Sequence, residues 1–116
     1  PERFDATFPG LFAAEPPTAY LSLLADVAAA VRPRTLQCQL DIMARTDLTA
    51  VLPQISVPTL LIWGSQDARS PLDIARQFDQ AIPDTTLVII DDAGHLSPLE
   101  QPTQVSTAIR DFCRIH

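Results

Sequence analysis

The stretch VPTLLIWGSQD at residues 57–67 decides the fold of this chain. Within it, residues 59–63 are an apolar run rich in strand formers, which is typical of a parallel strand covered on both faces. A second apolar run of this kind, TLVII, stands at residues 86–90 and leads into a polar loop at 91–101. We therefore predict two parallel strands, at about 59–63 and 86–90, each followed by a polar loop.

Helical patterns lie between and after these strands. Ser70 is the predicted N-cap of the first helix, Pro71 its first residue and Asp73 its capping-box residue. A second helix begins at Pro102. The predicted buried stripes are Ile74, Phe78 and Ile82 in the first helix and Val105, Ile109 and Phe112 in the second. The order strand, helix, strand, helix indicates a right-handed βαβ crossover with a covering helix.

The chain before residue 57 reads as helical with short loops. Residues 1–15 fit a loop with one helical turn, and apolar spacings of three and four predict an amphipathic helix over 18–31. Asp47 is the predicted N-cap of a short helix that Pro53 ends. A longer helix before it, of about three turns, carries the apolar stripe Leu36, Leu40 and Met43.

The composition excludes several classes of protein. The chain has 116 residues, 47% of them hydrophobic, which fits one globular domain rather than a disordered segment. A net charge of −6 argues against a nucleic-acid partner, because no basic face is available for phosphates. The apolar runs are too short for a bilayer and no signal peptide is visible, so we expect a cytoplasmic protein without membrane contact. The first residue is Pro1 rather than Met, which suggests a processed or excised piece.

The two cysteines, Cys38 and Cys113, stand 75 positions apart in helical patterns. We expect two unpaired, largely buried thiols, as is usual in a reducing compartment. The sequence has two histidines and no cluster of Cys and His, so neither a metal site nor a cofactor is expected.

Reactive side chains are expected in the two polar loops, because functional groups of open α/β sheets collect at the carboxyl ends of the strands. The first loop contains Asp67, and the second contains His95, 28 positions further on. Adjacent parallel strands would bring these loops together. A carboxylate beside an imidazole N–H fixes the ring tautomer and stabilises the imidazolium, which leaves the other nitrogen free to serve a nucleophile.

Two segments resemble motifs of the α/β-hydrolase family. Residues 57–67 look like its V-P-T-L-hydrophobic-G-x-x-D segment, and GHLSPLEQP at residues 94–102 looks like its G-H-x(4)-E-x-P segment. The resemblance implies that Asp67 is the acid and His95 the general base of a catalytic triad.

The family's nucleophile is not found in this sequence. Glycines stand only at positions 10, 64 and 94, so there is no G-x-S-x-G elbow and no oxyanion-hole segment, and the chain alone should be nearly inactive. Two parallel strands also cannot form a stable sheet by themselves. We therefore expect the C-terminal half of an incomplete α/β-hydrolase fold, with the remnant of a helical lid at residues 1–46 and core at 47–116.

The complete enzyme would cleave an ester, a lactone or a C–C bond in a small-molecule substrate, and the missing N-terminal half is its expected partner. The fold also hosts dehalogenases and epoxide hydrolases, which use a carboxylate nucleophile, so Ser, Asp and Cys all stay open as the nucleophile. The alternative is a non-catalytic half-domain that dimerises with a second copy, or docks on another chain, to complete its sheet.

Other residues have simpler interpretations. Glu100 is expected to support the last loop or the following helix start, and residues 91–92 to form a solvated turn. Trp63 is expected to pack in the strand rather than to bind substrate. Ser65 and Ser97 stand on no elbow and are not expected to replace the nucleophile. The apolar residues of the expected lid, some of which could line a substrate pocket, are Phe4, Phe8, Leu11, Phe12, Leu21 and Leu24.

Overall fold

The computed structural model describes residues 10–116. Phe4, Phe8 and most of the loop predicted at 1–15 therefore lie outside the described residues. In chain order the elements are helix α1 (Thr18–Ala30), helix α2 (Pro33–Arg45), a 3₁₀ helix (Thr49–Gln54), strand β1 (Thr59–Gly64), helix α3 (Leu72–Ala81), strand β2 (Thr85–Ile90), the single turn α4 (Ser97–Glu100) and helix α5 (Pro102–Ile115).

Strands β1 and β2 pair in parallel, as predicted. The register runs from Thr59 opposite Thr85 to Gly64 opposite Ile90, so both strands end at the same level of the sheet. Each strand is one residue longer than the predicted run. A parallel pair with helices before, between and after it confirms the α/β class.

Helices cover both faces of this sheet. The core on one face joins α5 to the strands and consists of Ile62, Val88, Ile90, Ala93 and Val105. Trp63 points to the opposite face, because successive side chains of a strand alternate. There its ring centroid lies 6.1 Å from that of Phe78 in α3. The crossover helix and the last helix therefore pack on opposite sides.

Helix α3 begins one residue later than predicted, at Leu72. Pro71 occupies the N-cap position and no side chain caps the helix, so the predicted cap by Ser70 is wrong. The backbone of Ser70 is engaged elsewhere, since its N–H donates to Asp67 Oδ1 at 2.8 Å and its carbonyl accepts from Trp63 Nε1 at 2.6 Å. These two hydrogen bonds, to residues three and seven positions earlier, hold Ser70 against the end of β1.

The predicted buried stripes of α3 and α5 are only partly buried. Ile82 and Val105 are buried, whereas Ile74 is 37% and Ile109 is 47% exposed. Two strands about 4.8 Å apart cover only a narrow strip of each helix. The residues at the margins of the stripes therefore have no sheet to pack against among the described residues.

Helices α1 and α2 match their predictions in position but bury none of their residues. The predicted stripe of α2 is exposed at Leu36, Leu40 and Met43. Cys38 and Cys113 are exposed as well, so the expectation of buried thiols is wrong. Both stand on helix faces that no other described element covers. No helix within residues 10–116 combines the length and the apolarity needed to cross a bilayer.

The short helix before β1 is a 3₁₀ helix, and Pro53 lies inside it rather than at its end. Asp47 stands one position before the N-cap residue Leu48, and its Oδ1 accepts a hydrogen bond from the Thr49 N–H at 2.9 Å. Hydrogen bonds from the hydroxyl and then from the N–H of Thr49 hold the pKa of Asp47 below its usual range. Asp47 thus serves the helix start without being its N-cap.

Candidate active site

The loops that follow β1 and β2 are joined by backbone hydrogen bonds. The N–H groups of Ser65 and Gln66 donate to the carbonyls of Ile90 and Ala93, both at 2.9 Å. In the other direction, the N–H of Asp92 donates to Ser65 Oγ at 3.1 Å. These bonds extend the pairing of the strands beyond their ends and hold the two loops side by side. The sequence pattern had predicted no role for Ser65 or Gln66.

Gly64, the last residue of β1, lies directly against the second loop. A Cβ atom at this position would collide with the carbonyl oxygens of Gly94 and Ala93. Glycine is required here for space rather than for its backbone angles, since among the described glycines only Gly10 has a positive φ. The missing side chain lets the two loops approach closely enough for Gln66 to bond Ala93.

Asp67 is buried, and its two carboxylate oxygens have separate partners. Oδ1 accepts hydrogen bonds from the N–H groups of Arg69 at 2.9 Å and Ser70 at 2.8 Å. Oδ2 lies 2.9 Å from Nδ1 of His95. The first loop therefore fixes the carboxylate through one oxygen and presents the other oxygen to the imidazole.

This contact sets the tautomer of His95. An ionised carboxylate has no proton to donate, so the proton between the two groups must be carried by Nδ1. Nε2 makes no hydrogen bond to any residue between 10 and 116, and the His95 side chain is 39% exposed. The ring is held on one side by a buried carboxylate and is accessible on the other. A general base needs this arrangement.

Glu100 supports the His95 loop, as predicted from the sequence. Its Oε2 accepts a hydrogen bond from the N–H of Gly94 at 2.7 Å. Its Oε1 accepts from the N–H of Ala13, also at 2.7 Å and 87 positions away. The Glu100 carboxylate thus joins the loop that carries His95 to the segment at residues 10–13. The contact with Ala13 could not be predicted from the sequence.

The segment at residues 10–13 packs closely on the same loop. The N–H of Leu96 donates to the carbonyl of Leu11 at 3.0 Å. A Cβ atom on Gly94 would lie 2.6 Å from the nitrogen of Ala13 and 2.7 Å from the carbonyl carbon of Phe12, so glycine is needed here too. The loop is therefore enclosed between the first loop on one side and residues 10–13 on the other.

The remaining polar residues fit their simpler interpretations. Residues 91–92 form an exposed turn, in which Asp92 adopts a left-handed φ of 53°. Asp tolerates this conformation better than most residues. Trp63 packs against Phe78, and Ser97 is buried at the start of α4. Within residues 10–116, no three side chains of His, Cys, Asp or Glu come together as a metal site requires.

An apolar groove of about 250 Å³ lies beside the segment at residues 10–13. Its lining residues are Leu11, Leu24, Val27, Ala28, Val31 and Leu36. Two of them, Leu11 and Leu24, belong to the residues predicted to line a pocket. One lining residue, Leu11, also accepts through its carbonyl the N–H of Leu96, the residue that follows His95.

Comparisons with a family model and with curated proteins both identify hydrolase-fold relatives of this chain. The family model described as alpha/beta hydrolase fold matches residues 9–102. A pimeloyl-(acyl-carrier protein) methyl ester esterase of Aromatoleum aromaticum is 36% identical over 83 residues, which is 72% of this chain and 33% of that protein. A putative non-heme bromoperoxidase of Mycobacterium tuberculosis is 35% identical over 77 residues, 66% of this chain and 29% of that protein.

Solved structures agree with these matches. A thermophilic esterase from Thermogutta terrifontis is 46% identical, with a TM-score of 0.58 over 60% of this chain and 26% of that one. An esterase from Exiguobacterium antarcticum superposes over 90% of this chain and 39% of its own, with a TM-score of 0.83. At 20% identity, that second likeness concerns the fold alone. The chain spans a third or less of the length of the two curated relatives.

Proposed function

Because this chain belongs to the α/β-hydrolase family, we propose that it supplies His95 as general base and Asp67 as acid to an esterase-like hydrolase. The observation that carries the proposal is the 2.9 Å contact between Nδ1 of His95 and Oδ2 of Asp67. The two residues stand in the order acid, then histidine, that the family's triad follows. The exposure of His95 leaves Nε2 within reach of a nucleophile.

In the proposed reaction, Nε2 of His95 removes the proton of the nucleophile's hydroxyl as its oxygen attacks the carbonyl carbon of the substrate. The buried carboxylate of Asp67 stabilises the imidazolium that forms. His95 then returns the proton to the leaving alcohol, which gives an acyl-enzyme. Water, deprotonated by the same nitrogen, attacks the acyl carbon, and His95 then returns this proton to the nucleophile's oxygen as the acyl bond breaks, which releases the carboxylic acid and restores both residues.

A carboxylic ester of a small acyl chain is the substrate class that we favour over a lactone or a C–C bond. The relative from Aromatoleum aromaticum and the structure from Thermogutta terrifontis, both more than 30% identical to this chain, carry the word esterase in their names. The groove beside residues 10–13 is lined entirely by apolar side chains, which suits a hydrocarbon chain rather than a charged ligand.

The nucleophile and the oxyanion donors would come from a preceding part of the same protein. The glycines of this sequence, at 10, 64 and 94, permit no G-x-S-x-G elbow. The described sheet has two strands, and the curated relatives are about three times as long as the matched region. We therefore take the missing N-terminal half as the partner that makes the site active.

The test is to express this chain together with the preceding region of its gene and to assay short p-nitrophenyl esters. Replacing His95 by Ala should lower kcat by roughly 10³-fold or more, since the nucleophile then loses its base. His116→Ala is the matched control, because this second histidine is exposed at the end of α5 and lies far from the loops in sequence. Activity that survives His95→Ala within a few-fold would remove the triad assignment.

A non-catalytic half-domain is the second candidate, and the exposed apolar residues of α1, α2 and the 3₁₀ helix favour it. Such a module would complete its two-stranded sheet with a second copy of the chain. Light scattering on the isolated chain separates the two candidates. A stable dimer together with an upstream gene region that carries no nucleophile motif would favour the half-domain, whereas an upstream G-x-S-x-G would favour the hydrolase.

A further inference from the structure

Glu100 binds two backbone groups that belong to different parts of the chain. The N–H of Gly94 donates to Oε2 and the N–H of Ala13 donates to Oε1, each at 2.7 Å. The carboxylate is half-buried, and neither of its partners is a cation. Hydrogen bonds of this length to an ionised oxygen are about twice as strong as those between neutral groups.

The two chain neighbours of the candidate base are both held by hydrogen bonds. Gly94 immediately precedes His95, and Leu96, which immediately follows it, donates its N–H to the Leu11 carbonyl at 3.0 Å. The N–H groups of the residues before and after His95 are therefore tied, through Glu100 or directly, to residues 10–13. The Asp67 contact restrains the ring itself, but it does not restrain the backbone that carries the ring.

We infer that Glu100 is a positioning residue for His95, an assignment that rests on the proposed role of His95 as base. Its carboxylate holds the His95 loop at a fixed distance from residues 10–13, and through them from α1 and the apolar groove that α1 lines. Without the two hydrogen bonds of Glu100, the loop that carries His95 can move away from the loop that carries Asp67. Nε2 then spends less time in line with the nucleophile, although every side chain of the triad is still present.

Glu100→Gln tests this idea with the least change in shape. The amide has one acceptor oxygen and an NH₂ group, so it can accept from only one of the two N–H groups and opposes the other with a donor. In the full-length protein, kcat for a short p-nitrophenyl ester should fall by about 10- to 100-fold, because small displacements of a catalytic group have effects of this size. KM should stay close to its original value, since the hydrogen-bond partners of Glu100, Gly94 and Ala13, do not line the groove.

Two measurements separate positioning from simple stabilisation. The rate is expressed per folded molecule, with the folded fraction taken from circular dichroism at the assay temperature. The ring nitrogens of His95 are observed by ¹⁵N NMR, where the Nδ1–H tautomer should dominate in the parent protein and should mix with the Nε2–H tautomer in Glu100→Gln. The control is Glu15→Gln, which changes an exposed carboxylate near the same segment and should alter neither quantity.

The outcomes distinguish this inference from the function on which it rests. Loss of activity in both His95→Ala and Glu100→Gln, with the altered NMR signals, supports the positioning role. Loss in His95→Ala with an unchanged kcat per folded molecule in Glu100→Gln overturns it and leaves the proposed function intact, whatever happens to Tm. Retained activity in His95→Ala overturns both.

Discussion

The backbone of Gly64 lies so close to the peptide carbonyl of Gly94 that a Cβ atom cannot be accommodated between them. The first glycine ends β1 and the second precedes His95, so this contact sets the distance between the loops that carry the candidate acid and base. Neither residue contributes a side chain. The space that they leave is what allows Asp67 and His95 to meet.

We expect Gly64→Ala to impair both stability and activity. The added methyl group meets backbone atoms, which cannot rotate away, so the loops must separate. Overpacking of this kind costs about 1–3 kcal/mol of unfolding free energy. Activity per folded molecule of the full-length protein should fall by about 100-fold, because the Asp67–His95 contact is stretched. Thr59→Ala, at the opposite end of the same strand, is the control, and a Gly64→Ala variant no worse than this control would refute the proposed crowding.

Asp67→Asn should abolish most of the activity without unfolding the protein. The remaining amide oxygen can still accept the N–H groups of Arg69 and Ser70, so the loop should persist. The charge that stabilises the imidazolium and the acceptor that selects the Nδ1–H tautomer are lost, and kcat should fall by about 10⁴-fold. Thermal melting and steady-state kinetics of the full-length protein are the measurements. Asp91→Asn, which alters an exposed carboxylate in the other loop, should keep nearly full activity; equal losses in the two variants would count against the assignment.

Asp47 should make the stability of the chain depend on pH in the acid range. Hydrogen bonds from Thr49 lower its pKa in the folded state, so its contribution is complete above the unfolded pKa and is lost as the pH falls through the folded pKa. Asp47→Ala should therefore lower Tm at neutral pH, and the difference from the parent should shrink in strong acid. Thermal scans at several pH values check this. A difference between Asp47→Ala and the parent that stays constant over the whole pH range would disprove the coupling.

Both cysteines should react in the native chain. Cys38 on α2 and Cys113 on α5 are exposed, so a colourimetric thiol reagent should modify two thiols per chain without denaturant. Cys38→Ser should leave one reactive thiol, and Cys113→Ser likewise. A thiol that reacts only after unfolding would instead indicate that its helix face is covered in solution.

The strands and the candidate pair were predictable because their signals are local. An apolar run such as residues 59–63 indicates a buried parallel strand, and parallel strands must end at the same edge. Asp67 and His95 lie in the loops that follow these ends, so the topology predicts that the two residues are neighbours. Glu100 was also predicted to support the last loop or the helix start, and its contact with Gly94, six positions earlier, is a local one.

Contacts to backbone groups, and burial that depends on the width of the sheet, could not be predicted in this way. Ser70 looked like a helix cap because its neighbours form a capping sequence, but Asp67 and Trp63 bind its backbone instead. The partner of Glu100 at Ala13 lies 87 positions away and is a backbone group, which no residue type reveals. The burial of Ile109 depends on how wide the sheet is, and periodicity within one helix carries no information about that width.

The strand register, in which Thr59 pairs with Thr85, also determines what effect a folding error has on activity. The smallest misalignment that keeps the same side chains on the same faces is two residues, or about 6.6 Å along the strand. The present distance between Nδ1 of His95 and Oδ2 of Asp67 is 2.9 Å, so such a shift would separate them completely. A misaligned chain would keep its hydrophobic core and lose its chemistry outright. Misfolding should therefore produce a mixture of molecules with the complete Asp67–His95 pair and molecules without it, rather than a uniform population of reduced activity.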